Sequence, residues 1–299
     1  MSHFVQVEAL PPRIFISRWK AQICRAGALC VLIGWLYFPI IFRLAKQCWS
    51  DPNSSHGFLV PVFSGFVLWR ERSRLFGLIP RPSPWGLPLL IFSLCVLVVG
   101  VLGAEVFLSR VSLLLLMASL IIYLRGWQYF RIALFPLAFL ILMIPLPEIL
   151  LSQITFPLQI LASKLASALL PFMGVPVLRE GNLITIPVMH LEVAEACSGI
   201  RSLLSLVTLA IIYGYFLERR KSMRVVLAVA AIPIAVVANG LRVVGTGLLA
   251  QYCGPNKAEG FYHSFSGVFI FLLSMALLSF MHLIPRFARR AWEARRDAL

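Results

Sequence analysis

Three residues in the C-terminal third of the chain have the types needed for nucleophilic acyl transfer. Cys197 lies in Glu195-Ala196-Cys197-Ser198-Gly199-Ile200-Arg201-Ser202, where a polar segment gives way to an apolar one. A thiol at a helix start faces unpaired backbone N–H groups and the positive end of the helix dipole, which favour the thiolate. Arg242 lies in Val237-Ala238-Asn239-Gly240-Leu241-Arg242-Val243, and Asn239, three residues earlier, shares its helical face. His263 lies in Gly260-Phe261-Tyr262-His263-Ser264-Phe265-Ser266-Gly267. Together they offer a thiolate nucleophile, an imidazole acid or base, and a guanidinium to hold an oxyanion or a carboxylate. Backbone N–H groups near Ser198 and Gly199 could add oxyanion donors. Arg201, one turn after Cys197, could lower the thiol pKa or reach the headgroups. Glu195 could pair with Arg201, Arg242 or His263, or stay solvated. Each residue also has a plainer reading: a small core cysteine, a snorkelling arginine, a locally bonded histidine.

The elements that must position these residues are membrane helices. Among 299 residues, 60% are apolar and only 13% charged, with a mean hydropathy of +0.89; a water-soluble domain carries about 25% charged residues. The net charge of +15 would ordinarily raise nucleic acid as a partner, but so much apolar surface could not be hidden in water. The composition predicts one all-α polytopic domain with about eight spans, at 26–43, 56–69, 86–105, 109–124, 132–150, 198–217, 225–250 and 264–284, each approaching the ~20 residues that cross the hydrocarbon. Pro136, Pro145 and Pro147 are expected to kink the fifth. The first span follows a basic segment, 1–25, without a small-residue cleavage site, and reads as a retained anchor.

Cations set the orientation, because short loops rich in Lys and Arg stay cytoplasmic. Arg70, Arg72 and Arg74, the cluster Arg219, Arg220, Lys221 and Arg224, and the tail 285–299 then share one side. Of the 27 cations and 12 acids, 19 and five fall there, a surplus of 14, which leaves the outer side nearly neutral. Arg242 is 18 residues beyond Arg224, about 27 Å along a helix, near the outer surface with Cys197 and His263.

One outer segment, 151–197, is long. Residues 152–171 place Ile154, Leu158, Leu161, Leu165 and Leu169 on one face, predicting an amphipathic helix in the interface or along a cleft. The alternative is a ninth span, which would exchange the sides of Cys197 and the Arg219 cluster. Residues 177–194 carry β-branched alternation with turn signals at Glu180-Gly181-Asn182 and Pro187, predicting a small β-hairpin.

The segments around Cys197, Arg242 and His263, in this order within an eight-span layout, resemble the three signature blocks of the exosortase/archaeosortase family. Trp49-Ser50-Asp51-Pro52 and Ser55-His56-Gly57-Phe58-Leu59-Val60-Pro61 resemble its first outer loop. The resemblance implies an integral-membrane cysteine protease/transpeptidase of the bacterial inner membrane, its site facing the periplasm. Its implied partners are exported proteins bearing a C-terminal sorting tail (PEP-CTERM type): a short Pro-Glu-Pro-type motif, an apolar span and a basic end. It implies Cys197 as nucleophile, with Arg242 and His263 essential.

No cofactor is expected, and no zinc spacing, phosphate-cradling loop or dinucleotide fingerprint occurs. His56 reads as a cleft or surface histidine. Cys48 and Cys253, both near the outer face, read as two separate thiols or a disulfide pair, and Cys24, Cys30 and Cys95 as packing residues. The competing class is a transporter or lipid-handling protein that uses Arg242 and Asn239 to hold an anionic solute or lipid phosphate.

Overall fold

The computed structural model describes residues 12–193, 199–255 and 267–283. The chain divides between Lys46 and Gln47 into two units. The first consists of most of helix α1 (Pro12–Ser50). Over Gly27–Ser50 this helix is long and apolar enough to cross a bilayer, and within the unit Val31, Trp35, Phe38 and Phe42 are exposed, as a lipid-facing helix requires.

The second unit is a helical bundle with one small sheet. A 3-10 segment (Pro52–Phe58) leads into α2 (Leu59–Arg70) and α3 (Arg72–Phe76); α4 (Gly86–Leu102), α5 (Val106–Leu124) and α6 (Trp127–Phe139) follow. A further 3-10 turn, Leu140–Met143, precedes α7 (Glu148–Leu169), strands β1 (Leu178–Glu180), β2 (Leu183–Ile186) and β3 (Met189–Glu192), then α8 (Ile200–Leu217) and α9 (Lys221–Cys253). The last described helix is α10 (Gly267–Leu283).

Five helical segments among the described residues are long and apolar enough to span: Gly27–Ser50, Val106–Leu124, Glu148–Met173, Ile200–Leu217 and Lys221–Cys253; Gly86–Leu102, Trp127–Met143 and Gly267–Leu283 are shorter apolar helices. The expected count of eight is therefore not reproduced. Within 56–69 the helix proper begins only at Leu59 and has 12 residues, about 18 Å and too short to cross alone. The segment expected to lie in the interface falls within one of the five long apolar helices instead. Its most buried positions are Thr155, Gln159, Ala162, Ser163 and Ala166; of the expected apolar face, Ile154 and Leu161 are exposed while Leu158, Leu165 and Leu169 are half-buried. Small and weakly polar residues allow close helix approach in a membrane, where lipid already satisfies leucine.

Helix directions resolve the consequence of this long α7. A side chain added to Gly240 of α9 would run into Leu165 of α7, Gly247 faces Leu170, and the Tyr252 hydroxyl donates to the Met173 carbonyl at 3.0 Å. Residue numbers rise together, so α7 runs parallel to α9. Helix α8 is antiparallel to α9, since Gly199 lies beside Asn239 and Gly214 beside Arg224. Helix α2 runs with α8: Phe63 meets Tyr215 ring to ring, and the 3-10 segment before α2 also touches α8. Helix α6 opposes α2, with Ser64 Oγ donating to the Pro136 carbonyl and His56 bonded to Leu142 O. Helices α6, α7 and α9 thus share a direction, and α7 prolongs the passage of α6 rather than reversing it. The break between them is local chemistry: Ile144 is extended ahead of Pro145, as a residue before proline prefers.

The sheet has three strands in the order β1-β2-β3, both pairs antiparallel, with Leu178 opposite Thr185 and Thr185 opposite His190. The expected hairpin gains β1 because both turn signals act: Gly181, at φ +65, reverses the chain once, and Pro187-Val188 reverses it again. One core joins Ala162, Ala166 and Leu170 of α7 to Ile184 and Ile186 of β2 and Val243, Val244 and Ala250 of α9. A second joins Leu206 and Ala210 of α8, Leu227, Ala231 and Ala235 of α9 and Leu278 of α10. Helix α9, 33 residues long, measures about 50 Å against roughly 30 Å of hydrocarbon; one helix can therefore serve both cores.

Candidate active site

One turn of α9 organises the candidate site. Asn239, 4% exposed, faces Gly199 at the start of α8, and Arg242, three residues on, faces Gly267 at the start of α10. A Cβ built on Gly199 would lie 2.7 Å from Asn239 Cγ, and one on Gly267 would lie 3.4 Å from the Arg242 Cζ and Nη2. Gly199 also has φ +78, a left-handed conformation that L side chains rarely adopt. Backbone geometry and close approach both demand glycine there. Thr246 Oγ1 donates to the Arg242 carbonyl at 3.0 Å, one turn further along α9.

A tight seam, too narrow to hold a water molecule, runs beside this place between Leu158 of α7, Gly199 and Leu203 of α8 and Ala235, Val236 and Asn239 of α9. Asn239 is the one polar side chain among these residues. Arg201 is exposed on the first turn of α8. Of the residues expected to do chemistry, Glu195, Cys197, Ser198 and His263 lie outside the described residues; Gly199, Asn239 and Arg242 are brought together. No cluster of metal-binding side chains occurs among the described residues.

Two polar clusters escaped the sequence reading. Arg110 of α5 is 5% exposed, and its Nη2 donates to Gln47 Oε1 at 2.7 Å. Cys48 is buried close to Gly57, while Asp51 Oδ2 accepts from Ser54 Oγ at 2.8 Å. Cys253 is exposed and, like Cys48, a free thiol, so the two are separate. At the opposite end of α8, the fully buried His282 of α10 shares hydrogen bonds with the Tyr213 hydroxyl at 3.0 Å and with Glu218 Oε2 at 3.3 Å. Arg224 Nε donates to the Glu218 carbonyl at 2.8 Å. The available signal was an ionisable residue within an apolar stretch, which marks a bundle interior; Arg110 and His282 both carry it.

The fold defines a multi-pass membrane protein with a small sheet packed on two of its longest helices. Residues 48–280 match the family model for the transmembrane exosortase, and the chain belongs to that family. No curated protein and no solved structure matches it.

Proposed function

We propose that the chain is a membrane cysteine protease/transpeptidase that cleaves C-terminal sorting tails of exported proteins at the outer face of the bacterial inner membrane. The observation that carries this reading is the single turn of α9 whose Asn239 and Arg242 face Gly199 and Gly267. Cys197 is two positions before Gly199 and His263 four before Gly267, so each is within four residues of a glycine that faces this turn. Family membership supports the same assignment.

In the proposed reaction the Cys197 thiolate attacks the scissile carbonyl carbon, and the carbonyl oxygen becomes an oxyanion. Arg242, with N–H groups near Ser198 and Gly199, stabilises that charge. The C–N bond then breaks, His263 gives its proton to the departing amine, and a thioester remains on Cys197. An amine or water attacks the thioester, His263 accepts its proton, and the thiolate is released. No oxidant, reductant or metal enters the balance. A substrate anchored by its own apolar span presents its cleavage motif just outside the bilayer, at the level argued for the three groups.

Transport finds less support. Helix α9 stays helical from Lys221 to Cys253 despite Pro233, and Asn239 stands level with the start of α8, whereas solute sites in many transporters sit at interrupted helices near the midplane. The test is processing of a tailed substrate by the Cys197→Ala protein. Complete loss is expected, together with a mass-detectable thioester on native Cys197; continued cleavage by the alanine variant would rule the nucleophile out.

A further inference from the structure

The sheet presents a backbone edge that the proposed chemistry does not use. In the order β1-β2-β3, β3 is a border strand, and among the described residues no strand pairs with its far side. Met189 and Leu191 pack toward the α7–α9 core, while His190 and Glu192 are exposed. A border strand directs N–H and C=O groups outward at alternate residues, and the natural complement to such a row is another extended main chain.

Two observations say which chain. Strand β3 ends at Glu192, and Cys197 follows five positions later in the same polypeptide, so chain connectivity keeps it within about 18 Å of the strand's end. At the other end of β3 a cavity of about 610 Å³ opens, lined by Val177 and Leu178 beside β1 and by Ile186, Pro187, Met189 and His190 around the β2–β3 turn. It offers apolar walls and one imidazole, whose Nδ1 is hydrogen-bonded to Thr185 Oγ1 at 3.0 Å. From Met189, which lines the cavity, to Glu192 is three residue steps, about 10 Å of strand.

We propose that the free edge of β3 is the docking rail for the extended polypeptide substrate, which joins the sheet as a fourth strand and seats side chains in the cavity at the β2–β3 turn. This rests on the thiol-protease reading and adds to it the conformation in which the substrate is held.

The test uses the full-length protein in vesicles and a synthetic peptide carrying a Pro-Glu-Pro-type motif followed by an apolar segment. N-methyl groups are placed one at a time on the non-proline residues ahead of that segment, and thioester formation on Cys197 is timed. Strand pairing predicts a slowing of about tenfold at alternate residues and under about threefold at the residues between, since only every second N–H reaches the edge. Independently, a photoreactive residue at position 190 in a Cys197→Ala background is expected to cross-link the unmodified peptide. Cross-linking without thioester formation in the native protein would keep the rail and overturn the nucleophile. Thioester formation that is indifferent to every N-methyl group, with no cross-link, would overturn the rail and keep the nucleophile. A cross-link to a second copy of the chain in place of the peptide would assign the edge to self-association and also overturn the rail. Absence of both signals would overturn both.

Discussion

Gly199 packs directly on Asn239, so close that a Cβ on the glycine would stand 2.7 Å from the asparagine Cγ. The start of α8 is thereby held against the middle of α9, and everything proposed for Cys197 depends on that closeness. Gly199→Ala must both adopt an unfavourable left-handed backbone, at about 1–2 kcal/mol, and displace Asn239. The expected result is a lowered Tm and loss of tail processing. Adding Asn239→Ala removes the Cγ contact but leaves the Cβ of position 239 at 2.9 Å and the backbone strained, so the double variant should recover only a small part of the Tm. Full recovery would show that φ at position 199 is not strained.

Arg242 meets Gly267 through its guanidinium, and its proposed role is to hold charge that develops during cleavage. Arg242→Gln should reduce kcat by about 10²–10³-fold, the range for losing an oxyanion donor, with little change in KM. Arg242→Lys keeps the charge but loses the planar fork and should fall between the two. A rise in KM with kcat preserved would instead assign Arg242 to binding a substrate carboxylate in the ground state.

The parallel packing of α7 on α9 sets Leu165 directly over Gly240. Gly240→Ala should cost about 1–3 kcal/mol through overpacking, read as a lowered Tm in detergent. Combining it with Leu165→Ala removes the nearest atoms and leaves only the Cβ of position 165 at 3.2 Å, so the pair should be more stable than the sum of the single changes predicts. Strict additivity in this cycle would mean that the two positions do not touch.

Buried Arg110 and Gln47 form a charge-assisted pair at 2.7 Å. Gln47→Leu leaves the guanidinium without that acceptor and should destabilise by about 3 kcal/mol. Arg110→Met replaces the cation with an apolar chain of similar length and should cost under about 1 kcal/mol or stabilise slightly. Thermal melts of both variants decide it: if Arg110→Met is the more damaging change, the arginine supplies more than a paired charge.

His282 bridges Tyr213 and Glu218 while fully buried. His282→Leu strands the Tyr213 hydroxyl and removes a partner of Glu218, costing about 1–3 kcal/mol. Tyr213→Phe combined with His282→Leu should recover part of that loss, measured again by Tm.

Some of this was legible along the chain because it depends on local chemistry. The apolar runs near 109–124, 198–217 and 225–250 became helices of spanning length, since only intrahelical hydrogen bonding satisfies a backbone in lipid. Both reversals of the sheet follow from turn residues at Gly181 and Pro187. The amphipathic pattern of α7 did not show which positions would be most buried: these are Thr155, Gln159, Ala162, Ser163 and Ala166, whose small or polar side chains carry no apolar periodicity.

Amino-acid order alone determined that the chain is rich in helices apolar enough to cross a membrane and that it resembles the exosortase family, and the family match over residues 48–280 bears out the resemblance. Each of these is a property of composition or of a short stretch. Only the tertiary structure decided that α7 runs with α9, that Asn239 and Arg242 address the starts of two different helices, and that β3 is left with an open edge. Those relations join residues tens of positions apart, and the packing of small side chains between helices, which carries almost no periodic signal, selects among the many arrangements that hydropathy permits equally well.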